Sequence, residues 1–359
     1  MKLNVGIIGC GGIANGKHLP SLQAIDEVRL TAFCDLEQAR ATDAANNYGS
    51  EEARVYTDYR ELLADNSIDV IHVCTPNSSH RDITVAALDA GKHVMCEKPM
   101  AKTTAEAKDM IAAAKRNNKK LTIGYQNRFR TDSQYLRQVT QRGDLGEIYL
   151  GKAQAIRRRA VPTWGVFLDE QQQGGGPLID IGTHALDLTL WMMDNYEPES
   201  VMGSIFHKLG QKANAANAWD SWDPEAFTVE DSAFGYIKMT NGATIILESS
   251  WALNTLDEDE AKCALSGTEG GADMKDGLRI HGEDMGKLYT KHIALDNEGV
   301  AFYEGEDEDE AEVEARAWID AILNDTKPVV DPQEALVVTQ ILEAIYQSAQ
   351  SGQAVYFNK

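Results

Sequence analysis

The chain has 359 residues, 43% of them hydrophobic and 25% charged, which predicts two soluble domains with large cores and no need for a disulfide or metal staple. Its formal net charge is −22, and acidic runs at 257–260 and 304–312 are interpreted as solvated loops rather than metal sites. A surface this acidic repels phosphate backbones and anionic lipid, which excludes nucleic acid and membranes as partners.

The first 124 residues alternate between short β-branched runs and helical patterns. The predicted strands are Leu3–Ile8, Arg29–Cys34, Arg54–Tyr56, Val70–Cys74, His93–Cys96 and Leu121–Gly124. The predicted helices are Leu36–Tyr48, Asp58–Leu63, Ser79–Ala90 and Thr104–Asn117. Such alternation is typical of βαβ units, so we expect an α/β fold whose residues 1–124 form a doubly wound parallel sheet.

After residue 125 the strand-like runs follow one another directly. They are Ile148–Ile156, Val201–His207, Ser232–Lys238, Thr244–Ala252 and Lys262–Ser266, with Asn241-Gly242 as a hairpin turn. Helices are predicted at Ile181–Met193, Glu312–Asn324 and Pro332–Ser351, the last with Asp331 as its N-cap. Residues 125–359 are therefore predicted to form an α+β domain with a large, mostly antiparallel open sheet.

The cysteines and the N-terminus indicate a cytoplasmic protein. The five cysteines are Cys10, Cys34, Cys74, Cys96 and Cys263. Their number is odd, they form no CxxC pair, and most lie in apolar strand-like runs, which suits buried thiols in a reducing compartment. The N-terminal segment enters a strand directly without the pattern of a signal peptide, and no apolar run reaches the ~20 residues that span a bilayer.

The motif VGIIGCGGIA follows the first strand and matches a dinucleotide fingerprint. Gly9 permits the tight turn, Gly11 lets the backbone approach a pyrophosphate, and Ala14 lets the next helix pack near the strand. Backbone N–H groups at the start of that helix then face the phosphates. These features predict a Rossmann domain.

Asp35 ends the second strand, 21 positions after Ala14. Its carboxylate can accept hydrogen bonds from the adenosine ribose hydroxyls, and it would repel a 2′-phosphate. Leu36 and Glu37 follow it, so no arginine comes directly after Asp35 to bind that phosphate. The predicted cofactor is NAD rather than NADP; the alternative is a glycine turn with a helix-capping aspartate.

Two later strand ends, CTPN and EKP, lie at the edge of the sheet where ligands bind in such folds. For His80 a surface position at the start of a helix is as plausible as a cofactor contact. We expect cofactor contacts from Gly9, Gly11, Gly12, Ile13, Ala14, Asp35, Thr75, Pro76, Asn77, His80, Glu97, Lys98 and Gln126.

Three residues are candidates for the chemistry. Lys98 at a strand end can hydrogen-bond a substrate hydroxyl and stabilise a developing alkoxide. Asp180 and His184 are four positions apart in GGGPLIDIGTHALDL, which places both on one face of a helix. A histidine there can act as an acid–base group, with the aspartate orienting it or binding substrate. A structural pair or half of a metal site is the alternative, but no further ligand cluster accompanies them.

Together, GCGGIA, CD, CTPN, EKP, GYQNRF and GGGPLIDIGTHALD arrive in the order found in the Gfo/Idh/MocA oxidoreductases, which the chain resembles over nearly its whole length. The resemblance implies an active site between two domains, with residues 125–359 binding substrate and mediating oligomerisation. It implies a catalytic trio of Lys98, Asp180 and His184, with His184 as proton acceptor. It also implies a cis peptide before Pro99 and homodimers or homotetramers formed through the C-terminal sheets.

The substrate contacts are predicted less directly, and we name Asn127, Arg128, Arg157 and Trp164 as candidates. Arg128 is expected to face the cofactor or the substrate cleft. Arg157 and Arg159 alternate on a strand and so share a face, where they either grip an acidic or phosphorylated substrate or form a subunit ion pair with the acidic surface. Trp164 either stacks on a sugar or packs in the core.

These features predict an NAD-dependent dehydrogenase that oxidises a hydroxyl of a cyclic polyol or sugar. One alternative is a glycoside hydrolase that keeps NAD bound and oxidises its substrate transiently. The other is a non-catalytic NAD-sensing protein, whose sequence would not need Lys98 or His184.

Overall fold

The computed structural model describes residues 2–295 and 309–357, so residues 304–308 of the second acidic run lie outside the described residues. Of the described residues, 2–129 and 309–336 form one compact unit, and 130–295 and 337–357 form another. The predicted boundary at residue 124 therefore falls close to the first change of unit. No helix in these ranges has the length and apolar character to cross a membrane.

The first unit contains a six-stranded parallel sheet in the order β3-β2-β1-β4-β5-β6. Its strands are β1 Leu3–Ile8, β2 Val28–Cys34, β3 Arg54–Tyr56, β4 Val70–Val73, β5 His93–Cys96 and β6 Leu121–Ile123. Its α-helices are α1 Leu19–Gln23, α2 Gln38–Tyr48, α3 Tyr59–Leu63, α4 His80–Asp89 and α5 Thr104–Asn117. A π-helical turn, Ala14–His18, precedes α1, and short 3-10 turns cover Asn77–Ser79 and Gln126–Phe129. The doubly wound parallel sheet is confirmed.

The second unit contains a nine-stranded sheet in the order β14-β13-β12-β11-β7-β10-β9-β8-β15. Its strands are β7 Ile148–Ile156, β8 Pro198–Phe206, β9 Ser232–Met239, β10 Thr244–Ser250, β11 Asp259–Gly267, β12 Gly270–Asp273, β13 Arg279–Asp284, β14 Lys287–His292 and β15 Val355–Tyr356. All its pairs are antiparallel except β7–β10. The mostly antiparallel sheet and the Asn241-Gly242 hairpin, in which Gly242 has φ +91°, are confirmed.

The remaining helices are α6 Thr131–Gln141, α7 Glu170–Gln173, the π turn Leu178–Gly182 with α8 Thr183–Met193, α9 Glu310–Leu323 and α10 Pro332–Ser351. Asp331 caps α10 as predicted, because its carboxylate accepts from Gln333 N at 2.8 Å. The sequence did not predict α6, α7 or strands β12 to β15. Helix α7 and strands β12 and β15 have at most four residues each, and charged residues interrupt the apolar patterns of α6, β13 and β14.

Helix α9 packs in the core of the first unit, although the sequence places it in the C-terminal domain. Ala315, Trp318 and Ile319 are buried in one cluster with residues of β1 and β2. An amphipathic helix does not itself show which core its apolar face joins. The first unit is therefore completed by residues about 180 positions beyond its last strand.

Candidate active site

The glycine-rich turn after β1 leaves open space in front of the helix that follows it. Gly9 has φ +91°, and a Cβ there would lie 2.6 Å from the carbonyl oxygen of Cys74. Cβ atoms on Gly11 and Gly12 would meet nothing within 4 Å. The helix begins at Gly12, and its first backbone N–H groups lack partners within the helix. The turn therefore fits the pyrophosphate of a dinucleotide.

The Asp35 side chain is hydrogen-bonded to the glycine-rich turn. Its Oδ2 accepts a hydrogen bond from Cys10 N at 2.8 Å, and its Oδ1 accepts one from Glu37 N at 2.9 Å. Ala14 is fully buried, as the packing of its helix requires, whereas Ile13 is exposed. The half-buried carboxylate is thus fixed at the end of β2, which is where a ribose diol would meet it.

The His80 side chain lies between the segments that follow β4 and β5. It is fully buried, so the alternative of a surface histidine is wrong. Its Nδ1 lies 2.8 Å from the Pro99 carbonyl oxygen and its Nε2 lies 2.9 Å from that of Thr75. Burial lowers the pKa of His80, although the two carbonyl groups oppose this. A direct contact of His80 with the cofactor would have to displace one of these two carbonyl groups. Of the neighbouring candidates, Asn77 is buried, Thr75 is half-buried and Pro76 is exposed.

Lys98 is the one side chain in the buried segment from Val94 to Ala101 that is not itself buried. The Lys98–Pro99 peptide bond is cis, as the family resemblance implies. The backbone N–H of Lys98 donates to Glu97 Oε2 at 3.0 Å. Lys98, just beyond the end of β5, is thus the partly exposed residue of a buried segment.

Glu97 is buried in an ionic network that the sequence did not predict. Its Oε1 lies 2.8 Å from Lys17 Nζ and 2.8 Å from His18 Nε2, and Lys17 also pairs with Glu314 of α9 at 2.8 Å. His18 in turn lies 2.9 Å from His72. Burial alone would raise the pKa of Glu97, but Lys17 and His18 hold it well below its ordinary value. A direct contact of Glu97 with the cofactor would have to displace these partners.

Arg128 requires a correction. It is completely buried, so it does not face a cleft. Its guanidinium lies 2.5 Å from Glu334 and 3.3 Å from the Val329 carbonyl oxygen, both in the C-terminal segment that completes the first unit. Of its neighbours, Asn127 is buried, whereas the half-buried Gln126 donates to Glu310 at 3.3 Å. A sequence pattern cannot show a partner that lies some 200 residues away.

Asp180 and His184 lie on one continuous helix in the second unit. In the segment from Gly175 to Met192, Asp180 and His184 are half-exposed and all the remaining residues are buried. A π turn carries Asp180 and α8 carries His184, and π turns are frequent at functional sites. The Asp180 Oδ2 atom accepts from the indole Nε1 of Trp251 at 3.1 Å. The helix thus leaves a carboxylate and an imidazole, four positions apart, partly exposed in an otherwise buried segment.

Glu230, which the sequence analysis missed, holds the start of this helix. Its carboxylate accepts from Gly176 N at 2.8 Å, from Leu178 N at 3.1 Å and from the Tyr346 hydroxyl at 2.9 Å. Burial raises the pKa of Glu230 against the opposing effect of these donors. A Cβ on Gly176 would lie 2.2 Å from the carbonyl oxygen of Glu230, which explains the glycines.

Arg157 and Trp164 both lie in the second unit, near the end of β7. The Arg157 guanidinium is paired with Glu260 of the same chain, so the predicted subunit ion pair with the acidic surface stays a prediction. Trp164 is 52% exposed, so the core-packing alternative is wrong. Its ring makes edge contacts with Phe167 and Trp219 instead.

Family models match both halves of the chain. The model of the Gfo/Idh/MocA oxidoreductases described as an NAD-binding Rossmann fold matches residues 3–125, and the model of their C-terminal alpha/beta domain matches residues 137–357.

Individual proteins match as well. The chain is 36% identical over 356 residues to D-glucoside 3-dehydrogenase of Escherichia coli (strain K12), which covers 98% of this chain and 97% of that protein. It is 33% identical over 166 residues to inositol 2-dehydrogenase of Salmonella typhimurium (strain LT2), covering 46% of this chain and 49% of that protein. The crystal structure of aldose-aldose oxidoreductase from Caulobacter crescentus, complexed with glycerol, matches with a TM-score of 0.81 and 25% identity over 99% of this chain and 100% of that one.

Proposed function

The chain belongs to the NAD-binding Gfo/Idh/MocA oxidoreductase family, and on this premise we propose that it is a dehydrogenase that oxidises a hydroxyl group of a sugar derivative or cyclic polyol. The observation that carries the proposal is the placement of Asp180 and His184, four positions apart, as the half-exposed polar groups of an otherwise buried helix. Bound NAD⁺ supplies the electron acceptor of the reaction. Its binding residues are the turn from Gly9 to Ala14, and Asp35.

In the proposed mechanism His184 takes the proton of the substrate hydroxyl. The Nδ1 atom of His184 is buried, so Nε2 is the nitrogen that we assign to this step. A neutral imidazole there accepts the proton as the C–O bond gains double-bond character. Asp180 supports the imidazolium or holds a neighbouring hydroxyl, and Trp251 fixes the orientation of its carboxylate.

Lys98 is proposed to donate a hydrogen bond to the substrate oxygen. Its ammonium group would stabilise the negative charge that develops on this oxygen as the proton leaves. Support comes from its position, because the segment around it is buried and the Glu97 carboxylate holds its backbone N–H.

The proposed substrates are D-glucosides, oxidised at the C3 hydroxyl, with inositols as the second class to examine. The relative named D-glucoside 3-dehydrogenase matches almost the whole chain, which is the reason for this order. The experiment is a screen of glucosides, free monosaccharides and inositols with NAD⁺, followed by NADH absorbance and by identification of the keto product. Stoichiometric NADH and keto sugar support the proposal. Cleavage of a glycoside without net NADH would contradict it and indicate the hydrolase instead.

We also propose a homo-oligomer formed through the open face of the nine-stranded sheet. Met202, Tyr236 and Ile246 lie in register on β8, β9 and β10, and the first two are 46% and 52% exposed. An exposed apolar row of this kind is typical of an interface. Replacing Met202 and Tyr236 with aspartate should lower the mass measured by light scattering; an unchanged mass would contradict this assembly.

A further inference from the structure

The second unit contains a cavity of about 870 Å³ at the end of β7. Its lining includes Arg157, Arg159, Asn217, Trp219, Asn254 and Glu260. Ligand sites in proteins span about 300 to 1,000 Å³ for drug-sized molecules, so this cavity is larger than a single sugar ring requires.

The cavity adjoins the residues that hold Asp180. Arg157 N donates to the carbonyl oxygen of Ser250 at 2.8 Å, one residue before Trp251, whose indole binds the Asp180 carboxylate. Burial alone would lower the pKa of Arg157, but the charges of Glu260 and Asp180 raise it. The effect of the Asp180 charge also indicates that Asp180 lies near Arg157. A molecule whose reacting ring is held by Asp180 therefore has the cavity within reach of its remaining groups.

An aromatic platform borders this cavity. Trp219 is 43% exposed, and its ring lies 4.8 Å from the Trp164 ring, centre to centre. The Arg157 guanidinium lies 5.6 Å from the centre of the Trp219 ring. The contacts continue from Trp164 through Phe167 to Trp251, at 5.9 and 6.4 Å. Large aromatic rings left half in water offer apolar faces for a flat, partly apolar ligand.

Hydrogen bonds fix the loop that carries Trp219. The Asn217 side chain accepts from Val161 N and donates to the Val161 carbonyl oxygen, both at 2.9 Å. Ala218 N donates to the Arg159 carbonyl oxygen at 2.9 Å. Hydrogen bonds within the protein therefore order the platform before a ligand binds, which lowers the entropic cost of binding.

The charges of the cavity balance. Its lining contains the three arginines 157 to 159 and the three acids 258 to 260, so their formal sum is zero. The Arg157 guanidinium is held by Glu260, and that of Arg159 donates to the Leu253 carbonyl oxygen at 3.0 Å and to Asn254. This arrangement offers hydrogen-bond donors and acceptors without a net positive field. It favours an uncharged polyhydroxylated ligand over the acidic or phosphorylated one considered from the sequence.

We propose that this cavity is a second subsite, which takes the aglycone or the second sugar ring of a glycoside, with Trp219 as its stacking platform. The inference rests on the proposed function, because it assumes that the first ring is oxidised beside Asp180 and His184. It makes Trp219 a specificity-determining residue that distinguishes glycosides from free monosaccharides.

The test compares D-glucose, phenyl β-D-glucoside and cellobiose with wild type and Trp219→Ala. Loss of the platform should raise the KM of the two glucosides relative to that of D-glucose by about tenfold, equal to ~1.4 kcal/mol. Trp219→Phe, which keeps a ring, should restore most of the difference. Trp222→Ala is the matched control, because Trp222 lies in the same loop but packs on Phe227 and donates to the Gly210 carbonyl oxygen.

A second measurement separates this inference from the proposed function. Phenyl β-D-glucoside should quench the tryptophan fluorescence of wild type, and the quenching should be lost in Trp219→Ala and kept in Trp222→Ala. Quenching without turnover would support the subsite while contradicting the dehydrogenase. Turnover in which Trp219→Ala leaves the KM ratio unchanged, or in which Trp222→Ala changes it equally, would overturn the subsite and leave the dehydrogenase in place.

Discussion

The indole Nε1 of Trp251 donates a hydrogen bond to Oδ2 of Asp180 at 3.1 Å. Trp251 follows the end of β10 directly and is completely buried, so this donor has a fixed position. The bond fixes one oxygen of a carboxylate that is otherwise half-exposed on its helix. We infer that His184, as the proposed proton acceptor, depends on this alignment.

Trp251→Phe keeps most of the buried ring and removes the donor. Hydrogen bonds to charged groups contribute about 1.5–3 kcal/mol, of which we expect roughly half to act on the reaction, so kcat/KM should fall about 4- to 13-fold. Steady-state NADH formation measures this. Trp222→Phe, which removes the indole donor to Gly210, serves as the control, and an equal loss there would show a general effect on folding instead.

Glu97→Gln should destabilise the protein strongly. The substitution leaves Lys17 buried with Glu314 as its remaining partner, and removing one member of a buried ion pair costs about 3–5 kcal/mol. Urea unfolding gives the value. Asp89→Asn breaks the exposed pair with Arg116 and should cost less than about 1 kcal/mol. Equal losses in the two variants would contradict the structural role of the network.

Glu314→Gln should change how stability depends on pH. Burial raises the pKa of Glu314 from 4.5 to about 7 although Lys17 opposes it, and Glu97 and Glu310 add to the effect. The folded protein therefore keeps a proton that the unfolded chain releases, so this group stabilises at low pH and its contribution is lost as the pH rises from 4.5 to 7.

The measurement is the difference in the free energy of unfolding between Glu314→Gln and wild type across this window. Between pH 4.5 and 7 the free energy of unfolding of wild type should fall by about 1–3 kcal/mol relative to that of the variant, because a glutamine does not titrate. A difference that stays constant with pH, or that changes in the opposite direction, would refute the assignment to Glu314.

Gly176→Ala should disturb the start of the helix that carries Asp180. The new Cβ would lie 2.2 Å from the Glu230 carbonyl oxygen and 3.1 Å from Val229, and overpacking of this kind costs about 1–3 kcal/mol. We expect a lower urea midpoint together with a lower kcat. Gly16→Ala is the control: it is helical with nothing within 4 Å of its Cβ, so its midpoint should stay the same or rise. Parallel changes in both variants would contradict the account.

The sequence predicts best what depends on neighbours along the chain. Gly9 follows a strand and needs its positive φ, and Asp180 and His184 share a helix face because they are four positions apart. By contrast, the partners of Arg128 lie about 200 residues away in the chain, and Glu230 reaches its helix across about 50. Local patterns carry no signal for such pairs, and the burial of His80 and Glu97 is equally a product of the whole fold.

In the proposed reaction the C–H hydrogen of a sugar carbinol carbon is transferred to NAD⁺ while His184 takes the hydroxyl proton. The decisive measurement uses methyl β-D-glucoside deuterated at every ring carbon, followed by mass analysis of the NADH. We expect one deuterium in each NADH formed and at least about a hundredfold slower formation by His184→Ala, within the range for loss of a general base. NADH without deuterium, or full turnover by His184→Ala, would contradict it.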